Sequence, residues 1–137
     1  MVIITGEYLG GLHCRAVHQP SGAVLETDAP KDNQGRGEAF SPTDLCATSL
    51  MTCMATIMGI FSRTIGYDLA GLKMEVRKHM TTAAPRRIAK LEVVFNFARP
   101  ADEPTRLKLR RAAETCPVHH SLHPDVLVET QFHWPES

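Results

Sequence analysis

The chain has 137 residues, the length of a single domain, and a domain of this size buries roughly two thirds of the surface that its unfolded form exposes. Fifteen basic and fifteen acidic residues give a formal net charge of zero, so charge gives no reason to expect nucleic acid or an anionic membrane as a partner. The N-terminus lacks the basic segment and long apolar run of a signal peptide, which predicts a cytoplasmic protein whose thiols are kept reduced.

The N-terminal region is predicted to form a hairpin followed by a loop. Residues 7–18 and 23–29 have the composition of strands, and the turn cluster Pro20-Ser21-Gly22 lies between them. Residues 30–39 are polar and contain glycine, which predicts a surface loop that is able to close over a site.

The clearest helix signal covers residues 42 to about 64. Ser41 provides an N-cap, Pro42 suits the first helical position, and Asp44 occupies the capping-box position. Gly66 offers a left-handed stop after the last turn.

The apolar residues of this helix lie around most of its circumference. Such a helix must be covered on nearly all sides, which is difficult for one small monomer. The uncharged run from residue 45 to residue 61 is shorter than the roughly 20 residues that cross a bilayer. We therefore interpret the segment as a buried helix of a soluble protein and expect no membrane partner.

The second half of the chain is predicted to contain three strands and a second helix. Two strands cover residues 69–81 and 86–99, the second with alternating apolar side chains. Asp102 is the predicted N-cap of a helix that ends near residue 116, and residues 126–134 form a last strand. The order ββαββαβ is typical of the α+β class, in one domain.

Two of the four cysteines are candidates for a reactive pair. Cys46 and Cys53 are seven residues apart on one helix, an axial rise of about 10.5 Å. A disulfide needs Cα atoms within about 7 Å, so these two cannot bridge while the helix is intact. A partner for Cys53 must come from another element, and Cys116 at the end of the second helix is the natural choice.

Cys116 has a local reason to be reactive. Pro117 favours the first position of a short helical turn, and Cys116 would then cap that turn, where aligned amides stabilise a thiolate and lower its pKa. The alternative is that a cysteine is simply a small, buried apolar residue. We interpret Cys14 and Cys46 in that way.

Three histidines follow Cys116. His119, His120 and His123 complete a C-x2-H-H-x2-H string, and such ligands suit zinc or copper. The spacing matches no known zinc finger, so we assign no metal. Metal binding through these residues and ordinary surface histidines both remain open.

At these residues the sequence resembles the OsmC/Ohr family of thiol-dependent hydroperoxide reductases. The resemblance rests on residues 41–45, Ser-Pro-Thr-Asp-Leu, leading into a helix that carries Cys53, and on Cys116-Pro117-Val118 before the last strand. It implies an α+β OsmC-like fold over residues 1–137, with antiparallel sheets wrapped around two central helices in an intertwined homodimer. The two active sites would lie at the dimer interface.

The resemblance also implies the chemistry. Cys53 would be the peroxidatic thiolate and Cys116 the resolving thiol. The substrate would be a small organic hydroperoxide, alkyl or lipid, and a dithiol reductant would reset the enzyme. No cofactor is expected, because sulfur supplies both electrons.

The sequence departs from the family pattern at two positions. Members of the family place an arginine just after the Gly-Gly of the first strand and a glutamate ten residues before the first cysteine, where this chain has Leu12 and Thr43. Our hypothesis is that Arg15 and Asp44 support the Cys53 thiolate instead. The alternative is a non-enzymatic relative that binds a small apolar ligand or senses redox state.

Overall fold

The structure is a computed structural model that describes all 137 residues. The chain divides into two compact units, an N-terminal unit of residues 1–46 and a C-terminal unit of residues 47–137. The elements are β1 Ile4–Gly10, β2 His13–His18, β3 Val24–Asp28, a 3-10 turn Lys31–Asn33, α1 Pro42–Ile65, β4 Lys73–Met80, β5 Ile88–Asn96, α2 Glu103–Glu114, α3 Pro117–Ser121 and β6 Leu127–His133.

The N-terminal unit contains an antiparallel sheet of strand order β1-β2-β3. The hairpin predicted around residue 22 is confirmed as the β2–β3 connection. The single strand predicted over residues 7–18 is wrong, because the chain turns at Gly10, Gly11 and Leu12, with φ of 89°, 61° and 62°. Two glycines adopt such left-handed conformations without steric cost, so a tight turn forms inside an otherwise strand-like segment.

The predicted loop is folded back on itself by backbone hydrogen bonds. The amide of Gly35 donates to the carbonyl of Pro30 at 2.9 Å, and that of Gly37 donates to Ala29 at 3.3 Å. A Cβ atom at Gly35 would lie 1.7 Å from the Ala29 carbonyl oxygen. The close approach of the two chain segments therefore requires glycine at this position.

The predicted ends of α1 are confirmed by their hydrogen bonds. The amide of Asp44 donates to Ser41 Oγ at 3.1 Å, and the amide of Ser41 donates to Asp44 Oδ2 at 2.9 Å, which is a reciprocal capping box. At the other end Gly66 has a φ of 70°, and the amide of Tyr67 donates to the carbonyl of Ser62 at 3.1 Å. The helix therefore ends at Gly66, a residue in the left-handed conformation, and the Tyr67 amide satisfies a carbonyl of its last turn.

One face of α1 is buried by the chain and the rest is not. Its buried residues form a single stripe: Ala47, Leu50, Met54, Met58 and Ser62. The helix has 24 residues and, over its most apolar 18-residue window, a mean hydropathy of 1.6, with 28% of that window buried. It is thus long and apolar enough to span a membrane, a test that core helices of soluble proteins also pass. The uncharged run of residues 45–61 is shorter than a membrane span, but the whole helix is not. A single chain leaves much of its apolar surface uncovered.

The C-terminal unit contains a sheet of strand order β4-β5-β6. β4 and β5 are antiparallel, but β5 and β6 are parallel, so this sheet is mixed and not purely antiparallel as expected. The reason is the connection: α2 and α3 carry the chain back across the sheet before β6 begins. The central strand β5 supplies much of the core, including the fully buried Leu91, Val93 and Phe95.

The second helix begins where the sequence predicts. The Asp102 carboxylate accepts from the Thr105 amide at 2.9 Å, and Pro104 lies in the first turn. Arg106 and Arg110 lie over the Trp134 ring, with guanidinium carbons 5.2 and 5.1 Å from its centroid. These contacts hold α2 against the chain end that follows β6. Cys116 follows directly after α2.

Candidate active site

The structure brings Cys53 and Cys116 together within the C-terminal unit. Cys53 is half-buried on α1, and Cys116, at the junction of α2 and α3, has no exposed surface. Both are free thiols, and their side chains are hydrogen-bonded to each other. Two residues far apart in sequence therefore form one pair of sulfur atoms in direct contact.

The end of α2 and the start of α3 fix the position of Cys116. Thr115 closes α2, and Pro117 occupies the first position of α3. Cys116 is the N-cap of α3, and its Sγ accepts from the His119 amide at 3.5 Å. The predicted cap is confirmed, and it points the thiol away from solvent.

The pKa of Cys116 is raised, opposite to the predicted direction. Burial is the largest cause, since it disfavours the charged thiolate. The hydrogen bond to Cys53 raises the pKa further, while the amides of His119 and Val118 lower it. Burial outweighs the helix cap, so Cys116 is protonated at neutral pH and donates its hydrogen to Cys53.

The other two cysteines lie outside this pair. Cys14 is exposed on β2, so its interpretation as a buried apolar residue was wrong. Cys46 is half-buried at the start of α1. Neither forms a disulfide.

Arg15 and Asp44, the predicted supports of the thiolate, lie in the N-terminal unit. Asp44 caps α1 through the Ser41 amide. Arg15 is exposed on β2 and faces Glu7 and Glu26 as register partners on the neighbouring strands. Their support for Cys53 stays a prediction.

The two positions that depart from the family pattern have structural roles of their own. Leu12 is exposed in the β1–β2 turn, with a φ of 62°. The Thr43 hydroxyl lies 3.2 Å from Ser41 Oγ at the start of α1. Neither side chain can carry the charge that an arginine or a glutamate would bring.

The histidines after Cys116 do not converge on a metal site. The rings of His119 and His120 stack at 6.2 Å, and His123 Nδ1 accepts from the Asp125 amide at 3.0 Å. No group of three or more His, Cys, Asp or Glu side chains that could hold a metal forms in the chain. The geometry therefore gives the metal-binding alternative no support.

A second polar cluster, missed by sequence reasoning, lies in the N-terminal unit. His13 Nδ1 is 2.6 Å from Asp28 Oδ1 and its Nε2 is 3.6 Å from Glu26, while Asp28 Oδ2 accepts from the Glu38 amide at 3.1 Å. The hydrogen bond to Asp28 is the main cause that raises the pKa of His13, and the same bond lowers the pKa of Asp28. The two are register partners on β2 and β3. The sequence signal for their pairing is the turn cluster Pro20-Ser21-Gly22, because the hairpin it forms sets the β2–β3 register.

Comparison with known proteins identifies the family. A family model described as OsmC-like protein matches residues 35–131, well over half of the chain. The chain belongs to the OsmC-like family. No curated protein sequence matches this OsmC-like chain significantly.

Solved structures agree with the family. A protein of Psychrobacter arcticus, provisionally described as an osmotic stress induced and detoxification response protein, is 44% identical, with a TM-score of 0.93 over 97% of this chain and 96% of that one. The organic hydroperoxide resistance protein OsmC of Legionella pneumophila is 15% identical, with a TM-score of 0.78 over 96% of each chain.

A third structure, an organic hydroperoxide resistance protein of Elizabethkingia anophelis, is 13% identical, with a TM-score of 0.79 over 98% of this chain and 96% of that one. The last two likenesses show the fold alone. Together with the observed elements, they confirm the predicted α+β OsmC-like fold.

Proposed function

We propose that this OsmC-like protein is a thiol-dependent peroxidase that reduces organic hydroperoxides to alcohols. The observation that carries the proposal is the hydrogen-bonded contact between the Cys53 and Cys116 thiols. Once one of two neighbouring thiols is oxidised to a sulfenic acid, the other is placed to condense with it to a disulfide. The pair therefore suits a cycle in which one sulfur is oxidised and the other reduces it.

The burial of the two sulfurs assigns their roles. Cys53 is half-buried and can be reached by a substrate, so it is the peroxidatic residue. Cys116 is fully buried and its raised pKa keeps it protonated, so it is the resolving residue. The hydrogen bond between the two thiols places the Cys116 sulfur next to the sulfur that the peroxide would oxidise.

The chemical steps need only sulfur and a dithiol. The Cys53 thiolate attacks the distal peroxide oxygen, the O–O bond breaks, and the departing alkoxide takes up a proton to leave as alcohol. The Cys53 sulfenic acid then condenses with the Cys116 thiol, which forms the disulfide and releases water. A dithiol reductant is oxidised as it restores both thiols.

The enzyme is further proposed to be a homodimer that works in the cytoplasm. The support for the dimer is the uncovered apolar surface of α1, of which Ile60 is 59% exposed. Water-exposed apolar area of this kind is usually covered by a partner. A second copy of the chain would supply a matching surface.

Thiol titration tests the peroxidase. After one equivalent of cumene hydroperoxide, the four free thiols per chain should fall to two. Cys116→Ser should lose one thiol, as sulfenic acid, and Cys53→Ser should lose none on the same timescale. Cys14→Ser is the matched control and should still lose two. Loss of thiols from Cys53→Ser as fast as from the wild type would contradict the proposal.

A second candidate function is a non-enzymatic ligand-binding or redox-sensing protein. It is favoured by Leu12 and Thr43, which stand where the family places an arginine and a glutamate. If the protein only binds a ligand, its wild-type thiols would survive excess cumene hydroperoxide for many minutes. Rapid loss of two thiols per chain excludes the ligand binder.

A further inference from the structure

The side chain of His119 has a buried atom without a hydrogen-bond partner. Its Nδ1 atom is shielded from solvent and forms no hydrogen bond within the chain. One other buried side-chain atom shares this state, Trp134 Nε1, but an indole nitrogen is a donor only and does not accept a proton. Burying a polar atom without a hydrogen bond costs free energy, so the His119 nitrogen calls for an explanation in the chemistry of the protein.

His119 lies on the same helical turn as the buried thiol. Cys116 is the N-cap of α3, and its Sγ accepts from the His119 amide at 3.5 Å. His119 is the third residue of α3, the position from which a side chain reaches back toward the N-cap residue in a capping box. The His119 ring is therefore attached to the backbone directly beside the Cys116 sulfur. Because its Nδ1 is unbonded in the reduced protein, the ring can turn toward that sulfur without breaking a hydrogen bond there.

Formation of a disulfide by Cys116 requires a proton acceptor. In the reduced pair Cys116 is protonated and donates its hydrogen to Cys53. The thiolate is the nucleophile in disulfide chemistry, so Cys116 must lose this proton as it attacks an oxidised Cys53. Cys116 has no exposed surface, so hydroxide from bulk water has poor access to the thiol. A base within the chain would meet this need.

The other titratable groups next to this turn are less suited than His119. Glu114 at the end of α2 and His120 on α3 are exposed. His123 is also exposed, and its Nδ1 already accepts from the Asp125 amide at 3.0 Å. The His119 Nδ1 atom is the one that combines burial with an unused capacity to accept a proton.

We propose that His119 is the base that takes the proton from Cys116 when Cys116 forms its disulfide with Cys53. A neutral imidazole with its hydrogen on Nε2 accepts at Nδ1. In the peroxidase cycle the Cys116 sulfur attacks the sulfur of the Cys53 sulfenic acid, and the S–H proton passes to His119 Nδ1. The S–O bond breaks, and the ring returns the proton to the departing hydroxide, which leaves as water. The inference rests on the proposed function for this step, but any attack of Cys116 on an oxidised Cys53 needs the same proton transfer.

Thiol–disulfide exchange tests the base without a peroxide. In a background of Cys14→Ser and Cys46→Ser, one equivalent of dithiobis(nitrobenzoate) reacts with Cys53 and releases one coloured thiolate. Cys116 then attacks the mixed disulfide and releases a second, at a rate that does not depend on the reagent concentration. His119→Asn keeps a hydrogen-bond acceptor but is not basic, so it should slow the second release about 100-fold at about pH 7, the lower end of what a positioned base contributes. His119→Gln should slow it to a similar extent.

His120→Asn is the matched control, because His120 is the exposed neighbour on the same turn, and it should keep the wild-type rate. The pH profile separates a base from a structural role. The wild-type rate should level off once the histidine ring is neutral, whereas the His119→Asn rate should keep rising by about tenfold per pH unit as hydroxide replaces the ring. Equal rates in His119→Asn and the wild type would overturn the proposal. So would a His119→Asn rate that is lower by the same factor at every pH, because the ring would then only hold the turn in place.

Dimedone, which labels sulfenic acids, separates this inference from the peroxidase itself. After one equivalent of cumene hydroperoxide, His119→Asn should accumulate a Cys53 sulfenic acid that dimedone labels, whereas the wild type should form the disulfide instead. A slowed second release in His119→Asn, together with wild-type thiols that do not react with peroxide, would support the base and contradict the peroxidase. Rapid peroxide reduction by the wild type, together with an unchanged second release in His119→Asn, would overturn the base and leave the peroxidase intact.

Discussion

Two features of the Cys116 environment have opposite effects on the pKa of its thiol. Its place as the N-cap of α3 favours a thiolate, whereas complete burial favours the thiol, and burial has the larger effect. The Cys-Pro sequence predicts the cap, because capping depends on neighbouring residues. The degree of burial depends on the packing of distant elements, so the direction of the pKa change could not be predicted.

The raised pKa of Cys116 makes stability depend on pH in the alkaline range. The pKa of Cys116 is higher in the folded state than in the unfolded chain. The contribution of its protonated thiol to the free energy of unfolding is therefore fully present below about pH 8.5, and it is lost as the pH rises through the folded-state pKa. We expect Cys116→Ser to lose less stability than the wild type between about pH 8.5 and pH 10. Urea unfolding across this range measures the difference.

The exposed Cys14 provides the control for that experiment. Cys14→Ser should follow the wild-type pH dependence. If Cys116→Ser and the wild type lose stability in parallel above pH 8.5, burial of Cys116 does not govern its titration.

At the level of elements, the sequence predicted helices better than sheets. The caps of α1 and α2 are formed by residues within a few positions of each helix end, such as Ser41 and Asp102. The parallel pairing of β5 with β6 joins residues such as Phe95 and Phe132, which are distant in sequence. No local sequence pattern specifies that pairing, so it could not be predicted from the sequence.

The β1–β2–β3 sheet should carry a pH-dependent ion pair. His13 has a raised pKa, so the stability that its protonated ring contributes is lost as the pH rises above about 6.5 and through the folded-state pKa of His13. Asp28 has a lowered pKa, so its contribution is lost as the pH falls below about 4. The pair should stabilise the sheet most between these limits.

An NMR titration of the His13 ring tests the pair. Asp28→Asn should lower the His13 midpoint, because the hydrogen bond to Asp28 is the main cause of the raised pKa. Glu26→Gln should lower it less, since Glu26 Oε1 lies 3.6 Å from Nε2. An unchanged midpoint in Asp28→Asn would rule out the ion pair.

At the scale of the whole molecule, the family and the α+β class could both be predicted from the sequence. The two cysteine motifs lie on α1 and at the start of α3, and the family model covers both. The fraction of α1 that one chain buries could not be predicted from the sequence, because it depends on which elements pack against the helix. The exposed part of that helix is the physical reason to expect a second subunit.

Sedimentation equilibrium tests the predicted homodimer. At micromolar concentration the protein should have twice the chain mass of 15.1 kDa. The apolar surface of α1, including Ile60, would then be removed from water. A protein that stays at the mass of one chain at this concentration would contradict the dimer and leave that surface unexplained.

The proposed function requires Cys53 and Cys116 to act as one redox pair. Its most direct test is mass spectrometry of the protein digested without reduction after one equivalent of cumene hydroperoxide. We predict a linked peptide that joins Cys53 to Cys116, with Cys14 and Cys46 still reduced. A Cys53 that remains a free thiol, or that is linked to Cys14 or Cys46 instead, would contradict the account.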